Sequence, residues 1–164
     1  MGKAANSSIS LKQIHVTDNF WNKYVHLVKD VIIPYQWDIL NDKLEDVETS
    51  HCIENFKIAA GEKEGEFQGA VFQDTDVAKW LEAVGFVLNY ERDEKLEELA
   101  DETIELIGRA QQPDGYLNTY FTIKEPDGRW SNLMEGHELY TAGHMIEAAV
   151  AYYEATGKLS LIHI

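Results

Sequence analysis

From Phe20 to Tyr153 the apolar residues of this chain recur at spacings of three and four and almost nowhere alternate, a pattern that admits helices and little else. Thr17 and Asp18 read as the cap of a first helix, whose stripe is Phe20, Trp21, Tyr24, Val28 and Val31. Pro34 must kink or divide this segment, because it lacks an N–H and crowds the preceding turn. A short helix follows around Ser50 to Ala60 and ends at Gly61. Asp74 or Thr75 caps a helix over Asp76 to Tyr90, with Trp80, Ala83, Val84, Val87 and Leu88 on its buried side. Asp93 caps another that runs to Ala110, with Leu96, Leu99, Ala100, Thr103, Ile104 and Ile107 facing inward. Pro113 and Gly115 open a loop to about Leu133, and a last helix spans His137 to Ala155, with Gly157 as its stop. The one candidate strand is the short run Ile9, Leu11, Ile14 and Val16, whose alternation breaks at Gln13.

A faint repeat joins two of these helices. Leu81-Glu82-Ala83 and Ile146-Glu147-Ala148 begin the second halves of two helices and lie 65 residues apart, with a complete helix and a loop between them. Inner helix, turn, outer helix and long loop is the unit from which α/α toroids and solenoids are built.

The bulk numbers narrow the partners. The chain has 164 residues, 45% of them hydrophobic and 26% charged, enough to bury a core. Its net charge of −15, from 29 acidic and 14 basic residues, leaves no basic stripe for nucleic acid and no attraction to an anionic membrane. A neutral ligand such as a sugar needs no charge matching. The single cysteine, Cys52, forms no internal disulfide, and Met1 to Leu11 lacks the apolar core of a secretion signal. No apolar run approaches the roughly 18 residues of a membrane span, and a cytoplasmic location is expected.

Three clusters at loop–helix junctions carry groups with chemistry. Phe72-Gln73-Asp74-Thr75-Asp76 offers an amide and carboxylates that either cap the next helix or hold sugar hydroxyls. In Gln111-Gln112-Pro113-Asp114-Gly115-Tyr116-Leu117 the Pro-Asp-Gly turn presents Tyr116, which either packs on its own loop or stacks on a sugar ring. His137-Glu138-Leu139-Tyr140 leads to His144. The second histidine stands seven positions after the first, not the four of a zinc-protease helix, and no third ligand stands at a fitting offset, so no metal ligands are assigned. Cys52 sits beside His51, but adjacent helical residues point about 100° apart and form no nucleophile–base pair.

Four segments in order, Val31-Ile32-Ile33-Pro34-Tyr35-Gln36-Trp37, Val71 to Ala83, Ala110 to Leu117, and His137 to Tyr152, resemble the start of glycoside hydrolase family 127, the non-reducing-end β-L-arabinofuranosidases. The resemblance covers about residues 12–158. It implies an all-α fold, a partial (α/α)6 barrel or toroid holding about the first five or six helices. It implies a retaining glycosidase with a zinc-bound cysteine nucleophile and a glutamate acid/base, whose residues lie beyond position 164, so no catalytic residue and no zinc ligand is expected within this chain, and the chain alone is expected to be inactive. His137 matches a histidine that contacts the sugar, and Gln73, Asp74 and Tyr116 occupy motif positions near the pocket, so these four are the expected substrate-binding residues. The expected partners are a carbohydrate and the remainder of the catalytic barrel. The expected organisation is a flexible stretch 1–10, barrel residues 11–158, and an atypical end 159–164 where an outer helix should begin. The alternatives are a non-catalytic helical-repeat interaction module, for which Gln-Asp-Thr-Asp at a helix start has no use, and another toroid enzyme such as an unsaturated uronyl hydrolase. The latter would want Arg or Lys for acidic sugars, and the motifs hold almost none.

Overall fold

The computed structural model describes residues 9–164, and among these every regular element is helical. Most of the stretch set apart as flexible, residues 1–8, lies outside the described residues. The expected strand at Ile9–Val16 does not form. Ser10 caps a single 3₁₀ turn over Leu11–Gln13, because no other segment offers a strand to pair with.

The first helix, α1 (Asn19–Leu27), is capped by Asp18, whose Oδ1 accepts from the N–H groups of Phe20 at 3.0 Å and Trp21 at 2.8 Å. Its expected interruption at Pro34 takes the form of a π-helical turn, Val28–Ile32, leading into α2 (Ile33–Leu40). The widened turn accommodates the missing N–H and the ring without ending the helix. α3 (Cys52–Ala59) stops at Gly61, which takes φ +72°, and α4 spans Asp74–Tyr90. α5 (Glu94–Ala110) is capped as expected by Asp93, whose Oδ1 accepts from Lys95 and Leu96. The loop expected between Pro113 and Leu133 contains a five-residue helix, α6 (Thr119–Ile123), capped by Asn118. α7 (Glu138–Thr156) ends at Gly157 in the left-handed region, φ +75°.

α4 and α7 lie side by side and parallel. Their contacts advance in step along both chains: Phe72 meets His137 ahead of the two helices, Lys79 meets Tyr140, and Gly85 meets Ala151. α5 runs back in the opposite sense. A three-residue link joins it to the end of α4, its first turns meet the far end of α7 through the Tyr152 hydroxyl to Glu97 and Asp101, and its exit leads to Tyr116, which reaches the start of α7. This is the inner–outer–inner order that the faint repeat suggested. The core lies among these helices, with Val77, Leu81, Val84, Ile104, Ile107, Ala148 and Tyr152 each at most 2% exposed. Trp80 ties α2 to it by donating from Nε1 to the Ile33 carbonyl at 3.1 Å and packing on Trp37. In the segment 159–164, Leu161 is buried in this core and Ile164 packs against it. No helix among the described residues is long and apolar enough to cross a membrane.

Two apolar surfaces remain open, Phe20, Trp21 and Tyr24 on α1, and Leu139, Ile146, Val150 and Tyr153 on α7. Exposed apolar area of this kind favours association. The 164-residue chain should therefore bind a hydrophobic dye or self-associate in sedimentation. A dye-silent monomer would contradict the exposure of both surfaces.

A close backbone approach between α4 and α7 gives a sharper test. A Cβ on Gly85 would stand 2.8 Å from the Ala151 carbonyl carbon, whereas one on Gly143 of α7 would meet nothing within 4 Å. Helix propensity alone favours Ala over Gly by about 1 kcal/mol at both sites. Gly143→Ala should raise stability by about 0.5–1 kcal/mol. Gly85→Ala should lower it by about 1–2 kcal/mol, because overpacking costs about 1–3 kcal/mol and outweighs the propensity gain. Urea midpoints of the two variants moving in the same direction would rule out the tight contact.

Candidate functional site

The parallel start of α4 and α7 gathers polar and aromatic side chains along one groove. Phe72, just before α4, packs on the His137 ring with centroids 5.1 Å apart, and Tyr140 meets both rings edge-on. Lys79 spans the two helices, donating from Nζ to the Tyr140 hydroxyl at 3.1 Å and to Thr75 Oγ1 at 3.2 Å. On the α4 side the groove opens into a cavity of about 790 Å³ lined by Gln36, Ser50, Gln73, Asp76, Lys79 and Trp80 among others.

His137 is the residue before α7 and adopts φ +53°, a conformation uncommon outside glycine. Its Nδ1 lies 2.8 Å from the Glu135 carbonyl oxygen. A carbonyl only accepts, so Nδ1 carries the proton, and Nε2 of the neutral ring is left as an acceptor for a ligand hydroxyl. Gln73 stands at the cavity wall. Its Nε2 donates to Asp76 Oδ2 at 2.8 Å, and its Oε1 accepts from the Ala70 N–H. Burial raises the pKa of Asp76, partly offset by Lys79.

Asp74 and Tyr116 lie deeper. Asp74 is 2% exposed and does not cap its own helix; Oδ2 accepts from the Thr119 N–H at 2.7 Å and Oδ1 from the Thr119 hydroxyl at 2.5 Å. Tyr116 is buried, its ring covered by the Arg129 guanidinium at 4.1 Å and its hydroxyl donating to Glu138 Oε1. Burial and then the Glu138 bond push the phenol far above its ordinary range, so it stays protonated. The other Glu138 oxygen accepts from the Trp130 N–H at 2.8 Å. These groups brace the wall behind the groove, whereas His137 and Gln73 stand at its surface.

The partners of Lys79, Tyr140 and Glu138 escape a reading by spacing, because they belong to other elements. Cys52 is fully buried, its Sγ donates to the Gln73 carbonyl at 3.4 Å, and burial together with the Asp74 charge pushes its pKa well above the ordinary thiol value. An enclosed protonated thiol is not suited to ligate zinc, so Cys52 does not take the part of the zinc-bound cysteine that the resemblance implies.

The sequence model for the β-L-arabinofuranosidase GH127 catalytic domain matches residues 13–164. The chain belongs to glycoside hydrolase family 127. The matched region takes in the end 159–164. A non-reducing end β-L-arabinofuranosidase from Bifidobacterium longum subsp. longum is 40% identical over 167 residues, covering 92% of this chain and 25% of that protein. The crystal structure of a GH127 β-L-arabinofuranosidase from Geobacillus stearothermophilus T6 is 63% identical with a TM-score of 0.89, over 91% of this chain and 24% of its own. A further GH127 β-arabinofuranosidase structure is 34% identical with a TM-score of 0.84, over 94% of this chain and 25% of its own. The chain thus spans about a quarter of the length of these relatives. With this membership the fold is a partial α/α barrel, in seven α-helices among the described residues where five or six were expected, the additional one being the short α6.

Asp74 yields a pH prediction. Burial raises its pKa to about 6, against an ordinary value of 3.8. Between these values the folded chain holds a proton that the unfolded chain has lost, so this group's contribution to stability falls as pH rises through the window and is fully lost above about pH 6. Asp74→Asn, which cannot ionise, should remove that component. Urea unfolding at about pH 4.5 and pH 7 should show wild type losing more stability than Asp74→Asn over the interval. Parallel profiles would mean that Asp74 titrates normally.

Proposed function

We propose that this chain supplies the N-terminal part of the catalytic domain of a retaining glycosidase that releases L-arabinofuranose from the non-reducing ends of glycans. The observation that carries this reading is His137, held in a left-handed conformation at the mouth of α7, backed by Phe72, with Nε2 free to accept. A sugar hydroxyl donating to Nε2, with further hydroxyls at the Gln73 and Asp76 wall, places a furanose across the α4–α7 groove. Retaining hydrolysis needs a nucleophile and an acid/base group. In this reading both come from the remaining three-quarters of the enzyme's length, which also closes the barrel.

Two measurements test it. The 164-residue chain alone should release no arabinose from a β-L-arabinofuranoside. In a catalytic domain of the relatives' length, His137→Ala should lower kcat/KM by about 10²-fold, equivalent to about 2.7 kcal/mol. An unpaired buried hydroxyl costs about 1–3 kcal/mol, and more where the bond tightens in the transition state. Unchanged kcat/KM at equal folded fraction would remove His137 from the pocket, and turnover by the short chain would overturn the reading.

A further inference from the structure

The parallel register of α4 and α7 brings equivalent positions of the 65-residue repeat to one height. Phe72 pairs with His137 in this way, and Glu82 comes to Glu147. His144 stands one turn before Glu147 on α7. One ligand atom from each of Glu82, His144 and Glu147 lies within 4.8 Å of the other two.

Three features of this cluster call for a cation. Two carboxylates at this separation repel, and more strongly where they are partly removed from water; Glu82 and His144 are half-buried. Neither glutamate pairs with a Lys or Arg among the described residues, and the nearby Lys79 is engaged by Thr75 and Tyr140. His144 Nδ1 is buried and lies 3.1 Å from Glu147 Oε2, yet the two do not meet hydrogen-bond geometry. A short separation without hydrogen-bond direction is how two ligands of one ion stand. Metal–ligand bonds of about 2.0–2.2 Å put neighbouring ligand atoms roughly 3–3.5 Å apart.

We propose that Glu82, His144 and Glu147 form a binding site for one divalent transition-metal ion of the Zn²⁺ type, linking α4 to α7. One imidazole with two carboxylates suits such an ion, whereas Mg²⁺ and Ca²⁺ take oxygen ligands. No cysteine takes part. The site unites a His-x-x-Glu pair on one helix with a glutamate on its neighbour, an arrangement that helical proteins use to hold metals between facing helices. A reading of one helix at a time finds no third ligand for His144, because that ligand arrives from α4. The inference rests on this geometry alone and stands or falls independently of the sugar reading.

The test uses the 164-residue chain, stripped with a chelator and titrated with Zn²⁺ by calorimetry, then with Co²⁺ by visible absorption. The expected result is one saturable Zn²⁺ per chain, a Tm that rises with Zn²⁺ concentration, and Co²⁺ d–d bands without thiolate charge-transfer absorption. Glu82→Gln and His144→Ala should each weaken binding at least about 10-fold, and Glu147→Gln, at the exposed edge of the cluster, serves as the variant least disturbing to the fold. His26→Ala, which removes an exposed imidazole elsewhere, should bind as wild type. Absence of saturable binding would overturn the proposal, as would cluster variants that bind like wild type. So would an imidazolium at His144, seen by NMR at neutral pH with no metal uptake, since a protonated ring would then balance the two carboxylates by itself.

Discussion

The passage of the α4 backbone against α7 at Gly85 and Ala151 governs the rest of this structure. With no side chain at Gly85, the two helices close to backbone contact, and that contact fixes their register. Once they are parallel and in step, residues one repeat apart meet whatever their chemistry. Phe72 finds His137 at the mouth, and Glu82 finds Glu147 farther in. A slip of one residue along either helix would rotate its side chains by about 100° and disperse both pairings. The site is therefore a consequence of how two inner helices pack, more than of any local motif.

A second constraint works at the same end. The first turn of each inner helix carries a buried carboxylate, Asp74 on α4 and Glu138 on α7, and both hold the segment that connects α5 to α7. Asp74 takes the two donors of Thr119, while Glu138 takes the Tyr116 hydroxyl and the Trp130 N–H. Helix N-termini favour negative charge, so both positions suit carboxylates electrostatically. Each carboxylate spends its capacity on the loop. The loop in turn places the Glu135 carbonyl against His137 Nδ1 and so sets which ring nitrogen faces outward. Orientation of the groove histidine thus depends on two buried acids.

Much of this was legible in the sequence and some was not, for identifiable reasons. The long helices, their caps at Asp18 and Asp93 and their stops at Gly61 and Gly157 follow from local rules, and all of them appear. The strand expected over Ile9–Val16 fails because pairing is non-local, and one alternating run says nothing about a partner. The helix α6 escapes because five residues are too few to show a period. Gln73 and His137, expected at helix mouths, stand at the groove. Asp74 and Tyr116 carry the same motif signal, yet the structure turns them inward, because Thr119, Glu138 and Arg129 come from elements that no spacing connects to them. The Pro34 interruption was visible, but its form as a π-turn depends on the continued packing of Ile33 and Trp37 around Trp80.

α7 shows how far the fold depends on what lies beside it. Its residues divide into three faces. Thr141, Met145, Ala148 and Tyr152 are buried against the rest of the chain. His137, Tyr140, His144 and Glu147, at spacings of three and four, form the polar and aromatic stripe along α4. Leu139, Ile146, Val150 and Tyr153 form an apolar face that is open, each between 43% and 64% exposed. A helix at the edge of a globule shows a polar face to water, while one apolar on opposite sides is enclosed on both. Two apolar faces flanking a polar stripe are the pattern of an inner helix with neighbours on either side and a lined interior between them. α4 packs along the polar stripe, and the second apolar face stays uncovered among the described residues.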